Sequence, residues 1–327
     1  MLQAVGLGLI QYGGDLANPR LAYPANAPGE FFVDRRCIDC DNCRSLAPQI
    51  FVQRLPIDDG DDGYAYVQRQ PVNAAERRQA IAALAVCPVQ CIGSRVGVRR
   101  AQAAASFPML LEEPVYFLGQ TSQKSYGGKG YVALLPFANV LFDAPRWDRH
   151  LRAWLEARGG VDFIFLSHRD DVADAPRYAD YFGADVFIGD ADADAYRGPR
   201  RHALTARRPV GFGEYLAARP VAGLSPSPEL NRLLLLPTPG HTAGHYCFRL
   251  DDRFLFTGDH VAVNRCTGRL YAFRYHCWHD WHELLASVRL LQDYPCEWLL
   301  PAHGRYGRFP WSEMRAMLAA VAVDGAA

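Results

Sequence analysis

The sequence has no excess of charge of either sign, because Lys and Arg number 35 and Asp and Glu also number 35. A balanced chain has no net field that would attract nucleic acid or an anionic membrane surface. No apolar run approaches the ~20 residues that cross a bilayer. The start, MLQAVGLGLIQYGGD, has a short apolar run without a basic flank or a cleavage-like end, so we expect no signal peptide. We therefore expect neither nucleic-acid nor membrane partners.

The cysteines indicate a metal cluster rather than disulfides. The chain has nine cysteines, an odd number, and Cys37, Cys40 and Cys43 form the run CIDCDNC, which is too tight for ordinary disulfides among them. Thiolates at this spacing can hold three corners of an iron–sulfur cube, and Cys87, directly before a proline, can supply the fourth. We predict a [4Fe-4S] cluster in a reducing, cytoplasmic compartment.

This cysteine pattern resembles that of bacterial single-cluster ferredoxins. A structural zinc site and unligated core thiols are the alternatives, although zinc sites usually use two C-x2-C pairs. Cys91 follows Cys87 by four residues, and a small buried thiol is its favoured interpretation.

Composition divides the chain into two predicted domains. Residues 29–98 carry the cysteines, two strand-like runs (EFFVDRR and GYAYVQRQ) and a helical run, NAAERRQAIAALAV. The segment RRAQAAASFP is low in large apolar residues, so we predict a linker over residues 99–110 and a larger domain over 111–327. There, strands and amphipathic helices alternate, which predicts a layered α+β fold with sheets buried under helices.

Four apolar strands of the larger domain each run into a potential metal ligand. FIFLS leads to His168, LLLLPTPG to His241, RFLFTG to Asp259, and EWLLPA to His303. Because strand ends in layered folds gather on one edge, these four side chains are expected to meet. The sequence therefore predicts a metal site at this edge.

The flanking motifs SHRDD, TPGHTAGH, FTGDH and LPAHG resemble those of the metallo-β-lactamase fold, an αββα sandwich, over roughly Leu111 to Ala327. In that family the first motif is usually H-x-H-x-D-H. Here Asp170 replaces the second histidine, and Val172 and Ala173 replace the Asp-His pair. The resemblance leaves only Asp259 and His303 for a second ion, too few for firm binding, so one divalent metal is expected.

The remaining ligands form a set with open positions. Two imidazoles and a carboxylate, from His168, His241 and Asp259, are the arrangement of non-haem iron proteins, and the resemblance to persulfide dioxygenases implies the same three residues. Asp170 is either a fourth ligand or a carboxylate that accepts a hydrogen bond or caps a helix. His303 is either a weak ligand or a hydrogen-bond donor to one. An anionic first shell favours iron, with zinc or manganese as alternatives.

Some polar residues near these motifs have no predicted ligand role. Asp171 is expected to point away from the site and Asp174 to begin a helix, so that both would cap or face solvent. GGKG at Gly127–Gly130 lacks phosphate-loop spacing and favours a hairpin turn. In YHCWHDWHE, residues 275–283, three histidines could bind metal, but the tryptophans favour a lid or an interface.

Three functions follow. The first is a redox enzyme in which the cluster passes electrons to the metal site, with a small-molecule substrate and a redox protein as electron donor; flavodiiron proteins resemble it in joining this fold to an electron carrier. The second is a zinc-dependent hydrolase of esters, thioesters or lactones, like glyoxalase II, with a regulatory ferredoxin domain. The third is a non-catalytic electron-transfer or scaffold protein.

Overall fold

The computed structural model describes residues 17–55 and 63–324. The N-terminal run for which no signal peptide is expected lies outside the described residues. Within the described ranges, no helix is both long and apolar enough to cross a membrane.

The cysteine-rich part is built from short elements. In chain order they are β1 (Phe31–Val33), α1 (Asn42–Leu46), β2 (Phe51–Arg54), β3 (Tyr64–Val67), α2 (Ala74–Val86), β4 (Ile92–Ser94) and α3 (Arg100–Ala104). Strand β1 pairs antiparallel with β4, and β2 pairs antiparallel with β3. The Asn73 side chain accepts a hydrogen bond from the backbone N–H of Glu76, which caps α2. The helix predicted over residues 73–86 is confirmed.

The first large sheet has seven strands within the described residues. Its elements are β5 (Met109–Glu112), β6 (Val115–Phe117), β7 (Tyr131–Leu134), β8 (Asn139–Phe142), α4 (Arg149–Glu156), β9 (Phe163–Leu166), α5 (Ala175–Phe182), β10 (Asp185–Gly189) and β11 (Arg201–Leu204). The spatial order is β11-β10-β9-β8-β7-β6-β5. Helix α5 ends at Gly183, whose φ of 69° is the left-handed conformation expected at a helix end.

The second large sheet follows in the chain. Its elements are β12 (Val210–Gly211), α6 (Phe212–Ala218), β13 (Leu233–Pro237), β14 (Tyr246–Leu250), β15 (Phe254–Gly258), β16 (Val261–Val263), β17 (Leu270–Ala272), α7 (Trp281–Leu291), β18 (Trp298–Pro301), β19 (Gly307–Arg308) and α8 (Trp311–Asp324). The spatial order is β12-β13-β14-β15-β18-β19, and β16 and β17 form a separate hairpin.

The two sheets pack face to face with helices on their outer faces. Leu141 and Ile164 belong to a buried cluster that includes side chains of α4 and α5. The next residues in each strand, Phe142 and Phe165, belong to the core shared with the second sheet, where Phe142 stacks on Phe256 with ring centroids 3.7 Å apart. Alternation along each strand thus separates an inner and an outer core. The predicted αββα sandwich is confirmed.

The segment predicted as a linker is packed. It contains α3 and the first residues of β5, and Ala103 and Phe107 are buried. The Phe107 ring lies edge-on to Phe117, with centroids 5.4 Å apart. Because alanine side chains are small, α3 can pack closely against neighbouring structure. The low content of large apolar residues, on which the linker prediction rested, does not indicate such packing. The domain limits at residues 98 and 111 stay a prediction.

Candidate metal centre and cluster site

The four predicted strand ends meet at one edge of the sandwich. Strand β9 ends just before His168, β15 just before Asp259, and β18 two residues before His303, whereas His241 lies in the loop after β13. Strands β15 and β18 are parallel neighbours, so their carboxyl ends lie side by side. The edge therefore gathers ligand side chains from both sheets.

The first ligand group consists of His168, His241, Asp259 and Asp170. Oδ2 of Asp259 lies 3.7 Å from His168 Nε2 and 3.8 Å from His241 Nε2. Oδ2 of Asp170 lies 3.8 Å and 3.7 Å from the same two atoms. Ligand atoms each ~2.1 Å from one ion are ~3.4 Å apart in a tetrahedral arrangement. The observed separations are close to that value. His168, His241 and Asp259 lie close enough together to hold one ion, and Asp170 lies beside the two histidines.

The second ligand group consists of Asp171, His303 and again Asp259. His303 Nε2 lies 3.8 Å from Asp171 Oδ1 and 3.8 Å from Asp259 Oδ2. The same Oδ2 atom of Asp259 thus faces both groups. A shared carboxylate oxygen can bridge two ions.

Several ligand atoms in these groups are buried without a partner. His168 Nε2, His241 Nε2, Asp259 Oδ1 and both carboxylate oxygens of Asp171 have no hydrogen bond to any described residue. Such groups are costly to bury and call for an explanation, of which an ion is one. Imidazoles and carboxylates, of which the two groups have three each, are ligands that divalent metals take in proteins. The residues fit a divalent metal.

The expectation that the Asp171 side chain points away from the site is wrong. Asp171 is 1% exposed and faces His303. The alternation argument fails because the strand has ended: residues 169–171 form a 3-10 turn, in which side chains repeat every three residues instead of every two. With Asp171 present, the second position has three protein ligands, and the reason for expecting a single ion disappears.

Asp174 is also not solvent-facing. Its carboxylate pairs with Lys124 Nζ at 2.6 Å and accepts a hydrogen bond from the backbone N–H of Trp147 at 2.7 Å. It precedes α5 as predicted, but its side chain makes no helix cap.

Neighbouring groups fix His168. Ser167 Oγ lies 2.9 Å from His168 Nδ1 and donates to Asp143 Oδ2 at 3.0 Å, while the Ser167 backbone N–H donates to Asp143 Oδ1 at 2.7 Å. Burial, reinforced by the nearby Asp171 carboxylate, raises the pKa of Asp143 well above its usual value. Such contacts orient a ligand ring and hold its Nε2 toward the site.

The His241 loop is held by residues 275–283. The backbone N–H groups of Trp278 and His279 donate to the His241 carbonyl at 2.9 Å and 3.2 Å. The Trp278 ring, 63% exposed, has its centroid 6.4 Å from that of His241. The segment's histidines form no ligand group among the described residues. The segment lies beside the site, and the lid or interface that the sequence favoured stays a prediction.

Without an ion, the carboxylates perturb the imidazole that faces them. Burial alone would lower the pKa of His303, but the carboxylates of Asp259 and Asp171 outweigh it and raise this pKa to about 9. Burial lowers the pKa of His260 to about 3 and that of His245 well below its usual value, so these two rings stay neutral. A cation at the second group would take the place of the His303 proton.

The cysteines surround a small cavity lined by Cys37, Cys40, Cys43, Cys87 and Cys91. Backbone N–H groups of Asp39 and Ala65 point at Cys37 Sγ, both at 3.4 Å. Hydrogen bonds of this kind stabilise thiolates in iron–sulfur sites.

The loop between these cysteines has an unusual backbone. Asp39 and Asp41 adopt left-handed conformations, with φ of 55° and 64°, which turn the chain around the cavity. The four predicted ligands fit a [4Fe-4S] cluster.

Cys91 is buried, as expected, but it also touches a predicted ligand. Its Sγ lies 3.5 Å from Cys87 Sγ. A hydrogen bond from the Cys91 thiol is the main cause that lowers the pKa of Cys37 to about 7. The fifth thiol therefore lies against the cluster site.

Two consecutive glycines separate the cluster site from the metal centre. A Cβ atom added at Gly127 would lie 3.3 Å from Cys40 Sγ, and one added at Gly128 would lie 2.5 Å from Asp171 Oδ1. These residues belong to the connection between β6 and β7 rather than to a tight hairpin turn. Sequence reasoning missed this role, because no local pattern indicates contacts so far along the chain.

Comparison with known proteins identifies both parts. The profile of the "4Fe-4S single cluster domain of Ferredoxin I" matches residues 33–94, and that of the "Metallo-beta-lactamase superfamily" matches residues 138–303, about half of the chain. The uncharacterized protein YobT of Bacillus subtilis is 31% identical over 113 residues, covering 32% of this chain and 48% of YobT. The chain thus spans about half the length of this curated relative.

Solved structures similar to this one include three from the same fold. The metallo-beta-lactamase superfamily protein ST1585 from Sulfolobus tokodaii is 16% identical over 64% of this chain and 86% of its own, with a TM-score of 0.43. The mono-zinc form of FIM-1 from Pseudomonas aeruginosa is 14% identical over 66% and 94%, with a TM-score of 0.48. The chemotaxis sensor ODP, in a peroxy diiron state, is 14% identical over 65% and 93%, with a TM-score of 0.46.

Proposed function

The chain belongs to the metallo-beta-lactamase superfamily and carries a single-cluster [4Fe-4S] domain, and from this premise we propose that it is a redox metalloenzyme. The cluster exchanges single electrons with a metal centre in the larger domain. The centre reduces a small molecule, such as oxygen, a sulfur compound or a small organic substrate.

The observation that supports this proposal is the closeness of the two sites. A Cβ atom added at Gly127 would lie 3.3 Å from Sγ of Cys40, a predicted cluster ligand, and one added at the next residue, Gly128, would lie 2.5 Å from Oδ1 of Asp171, a candidate metal ligand. Neither glycine has a side chain that would push the two apart. Electrons can therefore pass between the ligands across one short backbone segment.

The cluster site and the metal centre would supply different chemistry. When bound, a [4Fe-4S] cluster supplies one-electron transfer, and a redox-active ion supplies open positions for a small molecule. The side chain of Asp170 is 48% exposed, whereas those of His168 and His241 are buried. Solvent and substrate therefore reach the first group from the Asp170 side. Asp259 belongs to both groups, so a change of charge at one group affects the other through this carboxylate.

The proposal requires an external partner. Each electron that enters at the cluster comes from a donor, for which we propose a redox protein, and leaves with the small molecule. The cluster returns to its starting state after each transfer, so the protein is not consumed.

Metal content and spectroscopy of anaerobically prepared protein test the proposal. We expect iron in the larger domain, and we expect the reduced cluster to be reoxidised when an oxidant that reacts only at the larger domain is added. The matched variant His241→Ala should keep the cluster signal but lose this reoxidation. Zinc without iron in the larger domain, or equal reoxidation in the variant, would contradict the redox function.

A second candidate function is supported by the shared Asp259. A carboxylate between two ions is also the arrangement of two-metal hydrolases, in which the ions activate water and the scissile group. Thioester hydrolysis that continues after loss of the cluster, and that needs no reductant, would favour this hydrolase. A panel of glutathione thioesters is a suitable first set of substrates.

A further inference from the structure

Close packing by the backbone at Gly128 holds Asp171 in place, and the nearest basic group, His303 Nε2, lies 3.8 Å from its Oδ1. Neither of its carboxylate oxygens has a hydrogen-bond partner among the described residues. The backbone at Gly128 covers the carboxylate so closely that a Cβ there would lie 2.5 Å from Oδ1 and 2.9 Å from Cγ. The position of this ligand therefore depends on the position of residues 126–129, which we call the bridging loop.

The bridging loop is anchored to the loop that carries the cluster cysteines. Asn42 Nδ2 donates to the Gly127 carbonyl at 2.7 Å, and Asn42 lies between Cys40 and Cys43. The Tyr126 hydroxyl donates to the carbonyl of Ile38, the residue after Cys37. Both anchors end within one or two residues of a predicted cluster ligand.

His303, the other ligand that belongs only to the second group, is also connected to the bridging loop and to the cluster loop. The backbone N–H of Lys129 donates to the Ala302 carbonyl at 2.9 Å, directly before His303. Two residues after His303, the Arg305 guanidinium donates to the Arg44 carbonyl at 2.7 Å, next to Cys43. The cluster loop thus contacts both chain segments that position the second group.

The first group has independent supports. Ser167 and Asp143 orient His168, and the backbone of residues 278–280 holds the His241 loop. None of these residues belongs to the cysteine-rich part. A change in the cluster loop should therefore displace the ligands of the second group more than those of the first.

We propose that the iron–sulfur cluster gates the second metal group: with the cluster bound, Asp171 and His303 are held in binding positions, and without it this group loses its ion while the first group keeps its own. The cluster loop has left-handed residues at Asp39 and Asp41, and four thiolates on one cluster fix it. A bound cofactor stabilises one folded arrangement of the chain around it. When the cofactor is removed, this stabilisation is lost and the chain can unfold locally. Loss of the cluster to an oxidant would thereby alter the metal centre.

The test measures binding of Mn²⁺, which needs no electron transfer, so its outcome is separate from that of the proposed redox function. Cluster-containing protein, depleted of other ions by a mild chelator, is titrated with Mn²⁺ and followed by electron paramagnetic resonance. The same titration is made on the Cys87→Ala variant, which lacks a cluster ligand. We expect the cluster-containing protein to bind a coupled pair of ions. The variant should bind its second equivalent at least about tenfold more weakly, with little change in the first.

A second variant distinguishes loss of the bridging-loop anchor from general unfolding. Asn42→Ala keeps every cysteine but removes an anchor of the bridging loop, and it should keep the cluster absorption while losing affinity at the second group. The control, Asn73→Ala, removes the cap of α2 in the same part of the chain and should leave both affinities unchanged. Unchanged second-site affinity in either Cys87→Ala or Asn42→Ala would overturn the gate, and so would an equal loss in Asn73→Ala.

Discussion

Substitution of Gly128 by alanine tests whether Asp171 is a ligand of the second group. The added Cβ would lie 2.5 Å from Asp171 Oδ1, whereas ordinary contact begins near 3.4 Å, so the carboxylate must move by about 0.9 Å. Metal sites tolerate deviations of only ~0.2 Å in ligand distance. The carboxylate therefore either leaves the ion or stays under strain.

The size of the effect follows from the packing. Overfilling a well-packed site costs ~1–3 kcal/mol, which corresponds to an affinity loss of about five- to 150-fold at the second group. Gly128 does not have the left-handed backbone that would itself disfavour alanine. The predicted loss therefore arises from the contact with Asp171 rather than from backbone strain.

Titration with Mn²⁺, read by the magnetic coupling between two ions, is the assay. Gln123→Ala, on the exposed part of the same connection, is the control and should bind as the parent does. Thermal unfolding should show that all three proteins are folded. Two ions bound by Gly128→Ala as tightly as by the parent protein would refute the assignment of Asp171.

Three further changes probe other parts of the molecule. Asp143→Ala should weaken metal binding at the first group ~10–100-fold, as measured by competition with a chelator. Asp143→Asn should bind nearly as well as the parent, because the amide keeps an oxygen that can accept from the Ser167 backbone N–H and a φ of 50° suits asparagine; an equally large loss would show that the carboxylate charge is needed. Phe142→Ala should lower the free energy of unfolding by ~3–5 kcal/mol in urea titration, because the ring fills the space between the sheets, and a loss under 1 kcal/mol would contradict this. Cys91→Ala should retain the full iron and sulfide content of the cluster, whereas Cys87→Ala should not; cluster loss in both variants would make Cys91 a ligand.

The sequence contained enough to predict the sandwich and the meeting of strand ends. Strands β9, β13, β15 and β18 are apolar runs that stop at a polar residue, and both the run and its end are local features. Gathering of strand ends at one edge then follows from the layered architecture. For this reason His168, His241, Asp259 and His303 could be named before their distances were known.

Asp171 could not be predicted in the same way. The alternation rule applies while the strand lasts, but the chain turns into a 3-10 segment after His168. The side chain direction then depends on the turn and on what covers it, here Gly128. That contact joins residues 43 positions apart, and the sequence around either residue has no sign of it.

The hydrogen bonds between the two parts of the chain lie next to predicted cluster ligands. Among residues 17–55 and 63–324, four side chains of the larger part donate to backbone carbonyls of the cysteine-rich part. The acceptors are Ile38, Arg44, Val86 and Pro88. Each acceptor is adjacent to one of the four predicted cluster ligands. Because a carbonyl is present whatever the side chain, these contacts depend on the path of the backbone.

A cluster bound by the four predicted cysteines would fix that path at each of them. Substitution of the side chain at Ile38 or Pro88 should therefore affect the interface less than loss of a thiolate, even though the thiolates make none of these four hydrogen bonds. Paired measurements on Ile38→Val and Cys37→Ala can show this: amide hydrogen exchange in the bridging loop should stay slow in the first and become fast in the second. Fast exchange in both variants would mean that side-chain packing, and not the cluster, holds the two parts together.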